Sequence, residues 1–176
     1  KNLRLLKVDM TKEEGGHNQY VSMNGGILVQ EQDIETKTVA ADMCVTEAKP
    51  TEAQLTDLDF AWRIVKHVKS NAIVVVKDGA TLGVGAGQMN RVGSAKIALE
   101  QATAALAEEG KDIKAEAVVL GSDGFFPFDD TVTLAAEYGV KAIVQPGGSV
   151  RDEDSVKKAN ECGITMLCTG MRHFKH

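Results

Sequence analysis

The sequence is poor in cysteine, in aromatic residues and in long apolar runs, and its charge balance is acidic rather than basic. Its 176 residues include three cysteines, Cys44, Cys162 and Cys168, which form no CxxC pair. The odd count and the lack of an export signal favour reduced thiols in a cytoplasm. No apolar run approaches the roughly 20 residues that span a bilayer, so we expect no contact with a membrane. The net charge of −5 disfavours a general nucleic-acid-binding protein.

Several catalytic signatures are also missing. The zinc-deaminase pattern HxE…PCxxC is absent, no other His/Cys cluster occurs, and neither GxSxG nor a Walker A loop is present. We therefore expect no catalytic metal. The N-terminal stretch KNLRLLKVDM lacks the apolar core of a signal peptide, which favours a cytoplasmic protein. A chain that begins with Lys1 also fits a piece of something longer.

The feature around which the chain is organised is a strand–turn–strand–helix unit in its middle. Asp78-Gly79 between two apolar runs is a strong hairpin signal, because both central residues of a type I′ turn need positive φ. The glycines that follow would let the backbone approach a ligand closely, although Gln88 breaks the GxGxxG pattern. Asn71 at the mouth of the first strand and Arg91 at the entry to the helix are the polar groups placed to meet a ligand. The unit consists of strands at 72–76 and 81–84, a glycine-rich loop at 83–87 and the start of a helix.

The remaining elements alternate between strands and helices after residue 51. The clearest helix begins with a capping box, Thr51 with Gln54, and continues with Leu58, Trp62 and Val65 at helical spacing. This alternation predicts one α/β domain over residues 1–176, with a parallel or mostly parallel sheet covered by helices. We predict helices at 51–69, 92–109, 129–138 and 150–161, and further strands at 2–8, 26–30, 38–45, 115–120, 140–144 and 164–168.

In such sheets ligands lie beyond the carboxyl ends of the strands, and three polar, glycine-bearing loops follow apolar strands here. The first, GSDGFFPFDD, is either a hydrophobic plug or an aromatic wall for a planar ligand, with Asp123 or Asp130 accepting hydrogen bonds from ring N–H groups. The second, 145–149, is either an anion-binding helix N-terminus or a simple cap by Ser149 or Asp152. The third is the aromatic tail MRHFKH, where Arg172 could hold a phosphate with two N–H donors.

A Lys66-His67 pair resembles an acid–base couple, but it falls at the end of an amphipathic helix. Cations are favourable at that end because of the helix dipole. We therefore interpret the pair as part of the helix terminus.

Five motifs follow one another along the chain: KSNAI at 69–73, GVGAGQMNR at 83–91, SDGFFPF at 122–128, QPGGS at 145–149 and RHFKH at 172–176. In this order they closely resemble the carboxyl-terminal portion of the bifunctional family AICAR transformylase/IMP cyclohydrolase. Gly25 to Gln30 and Pro50-Thr51-Glu52 also fit, so the resemblance covers nearly the whole chain. Any one motif alone would be a weak signal, whereas all five in one order are specific.

The resemblance implies a fold, a reaction and partners. The fold would be a three-layer α/β/α sandwich with a mostly parallel mixed sheet, similar to cytidine deaminase but without zinc. The reaction would be transfer of a formyl group from 10-formyltetrahydrofolate to AICAR, giving FAICAR in de novo purine (IMP) biosynthesis. This chain would be the second transformylase subdomain. The first subdomain and the cyclohydrolase domain would lie outside it, and the active site would form at a homodimer interface.

The resemblance also implies roles for individual residues. Asn71 would lie near the transferred formyl group. Ser70 and Asp123, with backbone from the tail, resemble a structural potassium site in some members. The folate site would involve Arg91, Val92 and Asp130, with the backbone of Phe125, Phe126, Pro127 and Phe128 as a wall. The nucleotide site would involve Arg172 on the phosphate, with Phe174 and His176 closing the pocket.

The sequence departs from the family pattern in ways that leave an alternative open. Asp129 stands where an arginine is common, and Gly124 stands where an alanine is common. The family's catalytic Lys-His pair belongs to the first subdomain, and Lys66-His67 is not that motif because it directly precedes the Ser-Asn strand. The chain would thus carry part of an active site whose general base lies elsewhere. The alternative is a stand-alone folate- or nucleotide-binding or regulatory module that lacks catalysis.

Overall fold

The chain forms two compact units, Lys1–Glu35 and Thr36–His176, and each is described by itself. The structure, a computed structural model, describes residues 3–7, 18–35 and 37–175. The sequence predicted one domain over residues 1–176, and the chain divides instead into these two compact units. No helix within the described ranges is long and apolar enough to cross a bilayer.

The described residues of the first unit contain a β-hairpin. Strand β1 (Asn18–Met23) pairs antiparallel with β2 (Gly26–Glu31), so the strand predicted at 26–30 is confirmed. The sequence analysis missed β1, although Asn24-Gly25 is a hairpin dipeptide and Gly25 adopts a φ of 79°. The strand predicted at 2–8 is wrong for residues 3–7, which form no regular structure and pair with no described strand. Asn2 and Val8 lie outside the described residues.

The second unit is built on a five-stranded mixed sheet with the order β4-β3-β5-β6-β7. β3 runs antiparallel to both of its neighbours, whereas β5, β6 and β7 are parallel to one another. Four of the five strands therefore point the same way, which confirms a mostly parallel mixed sheet. The strands are β3 (Ile73–Lys77), β4 (Ala80–Gly85), β5 (Val119–Ser122), β6 (Ala142–Gln145) and β7 (Thr165–Cys168).

Helices pack on both faces of this sheet. One face contacts the first helix through Leu58, Trp62 and Val65, and the other face contacts the remaining three helices. Successive strand residues point to opposite faces, so Ile73 to Val76 are all buried between the two helix layers. The helices are α1 (Glu52–Val65), α2 (Arg91–Glu108), α3 (Asp130–Glu137) and α4 (Asp152–Glu161).

The strand predicted at 38–45 is wrong. Residues Ala41–Met43 form a short 3-10 turn, and only Cys44 makes an isolated bridge, to Leu167 of β7. The backbone N–H of Val39 donates to the carboxylate of Asp59 at 2.9 Å rather than to a strand. The alternation of apolar residues in this segment therefore reflects a loop that lies against α1, not a strand that is hydrogen-bonded into the sheet.

The glycines of the central unit serve helix packing. A Cβ on Gly83 or Gly85 would overlap the backbone carbonyl of Ala98 or Ser94 in α2. These glycines thus let α2 approach β4 closely, which corrects the expectation that they admit a ligand. The Asp78-Gly79 turn is as predicted, with φ values of 51° and 70°.

Replacing Thr51 with alanine is expected to lower the free energy of unfolding by about 1 kcal/mol. The capping box is present, because the Thr51 hydroxyl accepts from the Gln54 N–H at 3.2 Å and the Gln54 side chain accepts from the Thr51 N–H at 2.9 Å. Urea unfolding followed by circular dichroism measures the change. Thr56→Ala is the control, since the Thr56 hydroxyl bonds only within the helix, to the Glu52 carbonyl. Equal losses in both variants would contradict the capping role.

Candidate functional site

The candidate site lies at the sheet edge where β4, β5, β6 and β7 end. Because β3 runs the opposite way, the residues that precede it reach the same edge. The register places Ile73 opposite Ser122 on one side and opposite Gly85 on the other. Ser70 and Asn71 therefore meet Asp123 and the loop that enters α2, although they are far apart in sequence.

A cavity of about 380 Å³ opens at this edge. It brings together residues from four of the five motifs that the sequence analysis singled out. Met89 at its mouth is almost fully exposed, whereas Arg91 at its base is buried. The lining residues are Ser70, Asn71, Met89, Asn90, Arg91, Phe125, Pro127 and Phe174.

Beneath the cavity lies a buried ion pair between Arg91 and Asp123. The Asp123 carboxylate is fully buried and also accepts from the Ser70 hydroxyl at 2.5 Å and from the Ala72 N–H at 3.1 Å. The same guanidinium nitrogen that meets Asp123 donates to the Ser122 hydroxyl at 3.0 Å. A buried charge needs such partners, because an unpaired one would be costly. The positions of Arg91 and Asp123 in the sequence give no indication of this pair.

Asn71 is held at both ends of its side-chain amide. Its Oδ1 accepts from Arg91 Nη2 at 3.0 Å, and its Nδ2 donates to the Gln88 carbonyl at 2.9 Å. The Ser94 hydroxyl donates to the Asn71 carbonyl at 2.7 Å, and the Ser70–Asn71 peptide bond is cis. An amide nitrogen carries two N–H donors, and no described residue accepts the second one from Asn71.

The tail is docked against this network. The Lys175 N–H donates to the Ser70 hydroxyl at 2.9 Å, and the Ser70 N–H donates to the Lys175 carbonyl at 2.8 Å. The His173 N–H donates to the Asp123 carbonyl at 3.0 Å, and its buried ring lies 4.6 Å from the Trp62 ring. The flanking residues Arg172 and Phe174 are exposed, as expected for an extended segment. His176, predicted to close the nucleotide pocket, lies outside the described residues.

The aromatic motif divides between the two interpretations left open by the sequence. Phe125 and Pro127 line the cavity, whereas Phe126 is fully buried in the core between the sheet and α2 to α4. Phe128 is half exposed and lies under the Arg151 guanidinium at 5.2 Å. Phe125 lies in the same way under Arg172, at 4.8 Å. The motif is therefore a plug at one position and a cavity wall at two.

Two other predicted folate residues are not part of the cavity lining. Val92 is partly buried in the first turn of α2, directly after Arg91. Asp130 is exposed at the start of α3, and its carboxylate accepts from the Thr131 N–H at 2.7 Å.

The backbone N–H groups of the loop at 145–149 are occupied by a side chain rather than open to an anion. The Asp152 carboxylate accepts from the Gly148 N–H at 2.6 Å and from the Ser149 N–H at 3.1 Å. These amides are the donors that an anion would need. Asp152 therefore closes this loop, but the prediction that it caps the helix is wrong, because the N-cap of α4 is Arg151 and no side chain makes a cap hydrogen bond there.

The residues proposed for potassium contact one another directly. The Ser70 hydroxyl donates to one oxygen of Asp123, and the other oxygen faces the Arg91 guanidinium. A cation would compete with Arg91 for the carboxylate, so this pair does not offer an open set of oxygen ligands. In the described part of the chain no group of three or more His, Cys, Asp and Glu could hold a metal ion. The potassium site remains a prediction from the resemblance.

Two further reactive groups, the Cys168 thiol and the Lys66-His67 pair, are unsuited to catalysis at this edge. Burial raises the pKa of the Cys168 thiol to about 11, helped by the nearby Asp152 carboxylate, so this thiol stays neutral at pH 7. Lys66 is the C-cap of α1, and His67 is exposed just after it, with its carbonyl accepting from Lys175 Nζ at 3.3 Å. Neither of these two residues lines the cavity.

Comparison with solved structures gives only distant similarities. A dCMP deaminase from the cyanophage S-TIM5 in apo form is 16% identical, with a TM-score of 0.40 over 60% of this chain and 88% of that one. A diaminohydroxyphosphoribosylaminopyrimidine deaminase/reductase from Thermotoga maritima is 21% identical, with a TM-score of 0.37 over 64% of this chain and 34% of that one. These TM-scores are too low to bear on function.

Sequence comparison gives a direct relationship. The bifunctional purine biosynthesis proteins PurH of Anoxybacillus flavithermus and Bacillus subtilis are 58% and 54% identical over the whole chain. The chain spans about a third of the length of these relatives, 33% in both cases. The sequence profile of the family described as AICARFT/IMPCHase bienzyme matches residues 1–101. The chain therefore belongs to the AICARFT/IMPCHase bienzyme family.

Proposed function

We propose that this chain is the second, C-terminal transformylase subdomain of an enzyme that transfers a formyl group from 10-formyltetrahydrofolate to AICAR, giving FAICAR. The observation that carries the proposal is the cavity itself. It gathers Asn71, Arg91, Phe125 and Phe174 from four separate motifs into one site at the sheet edge where ligands bind. The proposal includes the three-layer, deaminase-like arrangement without catalytic zinc, and a place in de novo purine synthesis in the cytoplasm.

The chemistry gives Asn71 its role. The aryl amine of AICAR is a poor nucleophile, so its attack on the formyl carbon needs proton removal and stabilisation of the developing oxyanion. The second N–H of the Asn71 amide would donate to the formyl oxygen as charge develops there. An amide held at both ends is already oriented, so little reorganisation accompanies the reaction.

The size of the cavity limits what this unit binds alone. About 380 Å³ lies near the lower end of ligand pockets, which range over roughly 300–1,000 Å³. A folate and a nucleotide together need more room. The exposed Met89 and half-exposed Phe174 at its rim are apolar surfaces that a further protein segment could cover. This fits a site completed by the first subdomain and by the partner in a homodimer.

The nucleotide end of the site is assigned to Arg172. The guanidinium carbon of Arg172 lies over the Phe125 ring at 4.8 Å, and its N–H groups would meet a phosphate in two parallel bonds. No carboxylate in the described ranges forms an ion pair with it. The folate ring would then lie against Phe125 and Pro127.

The general base is assigned outside this chain. Among the described residues that line the cavity, the only ionisable side chain is the Arg91 guanidinium, which donates hydrogen bonds but offers no lone pair to take up a proton. We therefore expect the 176-residue chain to show no formyl transfer above background when it is assayed with AICAR and 10-formyltetrahydrofolate. The full-length protein, with an upstream Lys-His subdomain, is the positive control. Turnover by the chain alone, lost in His67→Ala, would contradict both this assignment and the structural interpretation of Lys66-His67.

A second candidate is a binding or regulatory module without catalysis, which fits a cavity whose described lining residues include no base. The same assay separates the two. Formyl transfer by the full-length protein supports the first. Binding of folate or AICAR without turnover by any longer product of the gene supports the second.

A further inference from the structure

We propose that Asp123 is a positioning residue that orients the Asn71 amide through Arg91. This inference rests on the function proposed above for Asn71, but the contacts that carry it do not. Asp123 is fully buried and does not line the cavity, so any effect it has on a ligand must be transmitted by another residue.

The first link is the anchoring of the carboxylate. Asp123 follows β5, and its two oxygens receive the Ser70 hydroxyl, the Ala72 N–H and the Arg91 guanidinium. Ser70 and Ala72 flank Asn71 in sequence. The carboxylate is therefore fixed to the same stretch of backbone that carries Asn71.

The second link is the bridging geometry of Arg91. One terminal nitrogen, Nη1, meets Asp123 and the Ser122 hydroxyl, while the other, Nη2, donates to Asn71 Oδ1 at 3.0 Å. The two contacts need two nitrogens in a rigid plane, which arginine has and lysine lacks. Gly124 makes room for this plane, because a Cβ there would overlap Nη2.

The third link is the direction of the Asn71 amide. A guanidinium can only donate and a carbonyl can only accept, so Arg91 fixes the amide oxygen and the Gln88 carbonyl fixes the amide nitrogen. The amide cannot flip without losing both bonds. Loss of Asp123 would release Arg91, and loss of Arg91 would release the Asn71 oxygen.

NMR on the 176-residue chain tests the network without any variant. In the unmodified chain the two Nη groups of Arg91 should give separate signals at low temperature, because contacts with Asp123 and Asn71 block rotation of the guanidinium. A single averaged signal would overturn the proposal, whatever the enzyme does.

Variants then test the transmission. In Asp123→Asn and in Arg91→Lys, the side-chain N–H cross-peaks of Asn71, assigned by their loss in Asn71→Ala, should move well beyond their line width. Asp57→Asn is the matched control. Asp57 is a second buried carboxylate, which accepts from the Asp78 and Gly79 N–H groups at 2.9 and 2.7 Å at the opposite end of β3. Unmoved Asn71 signals in a folded Arg91→Lys chain would overturn the proposal.

Kinetics of the full-length protein test the consequence. Asp123→Asn should lower kcat by on the order of 10²-fold, the effect of a misplacement of about 1 Å, with a smaller change in KM. Unchanged kcat would overturn the positioning role, because a purely structural carboxylate would change only stability. Separate Nη signals in a protein that transfers no formyl group would instead leave the network standing and refute the proposed function.

Discussion

Replacing Asn71 with alanine in the full-length protein is expected to lower kcat for formyl transfer by about 10²–10³-fold while changing KM far less. A lost oxyanion donor costs about 2.7–4 kcal/mol of transition-state stabilisation in comparable sites. The amide is already held by Arg91 and Gln88, so the ground state gains little from it. Steady-state kinetics with both substrates varied give the two constants separately.

Asn160→Ala is the control for this experiment. The Asn160 side chain accepts from the Glu47 N–H at 2.9 Å and lines no part of the cavity. It should leave kcat and KM unchanged. An effect of Asn71→Ala confined to KM would mean that Asn71 binds the ground state only.

Replacing Arg172 with alanine is expected to weaken AICAR binding by more than 100-fold. Each hydrogen bond to a charged group contributes roughly 1.5–3 kcal/mol, and two parallel bonds to a phosphate exceed the roughly 2.8 kcal/mol that corresponds to 100-fold. Arg172→Lys should weaken binding less, since lysine keeps the positive charge but lacks the two parallel N–H donors of the guanidinium. Calorimetric titration of the full-length protein with AICAR measures both.

Arg151→Ala is the matched control, because Arg151 also stacks on a phenylalanine of the same motif. It lies over Phe128 rather than Phe125, and it is paired with Asp154 at 2.6 Å. Its loss should leave AICAR affinity unchanged. Equal losses of AICAR affinity in the two variants, or no loss in Arg172→Ala, would contradict the assignment of the tail to the nucleotide site.

The structure also shows why point substitution tests the tail better than truncation. The simplest truncation deletes residues 172–176. That deletion would remove the buried His173 ring from Trp62 and the Lys175 bonds to Ser70. Loss of binding in a truncated protein would therefore mix a lost phosphate contact with lost packing.

The sequence by itself determined the elements whose signals are local. The capping box of Thr51 and Gln54 and the Asp78-Gly79 turn are each fixed by residues within a few positions of one another. The alternation of elements after residue 51 fixed the mostly parallel sheet, and motif order fixed the family. These properties depend on backbone preferences and on the periodicity of apolar residues, and both are contained in short stretches of the sequence.

Only the tertiary structure decided which polar groups meet. Asp123 and Arg91 lie on different elements, and nothing in the spacing of either residue indicates a buried ion pair between them. The same holds for the segment at 38–45, whose alternation suggested a strand. A buried carboxylate or an apolar alternation is satisfied by whichever partner the packing of distant segments supplies. Here the partner is determined by the direction of β3, which runs antiparallel to its neighbours and so brings Asn71 to the edge where Asp123 follows β5.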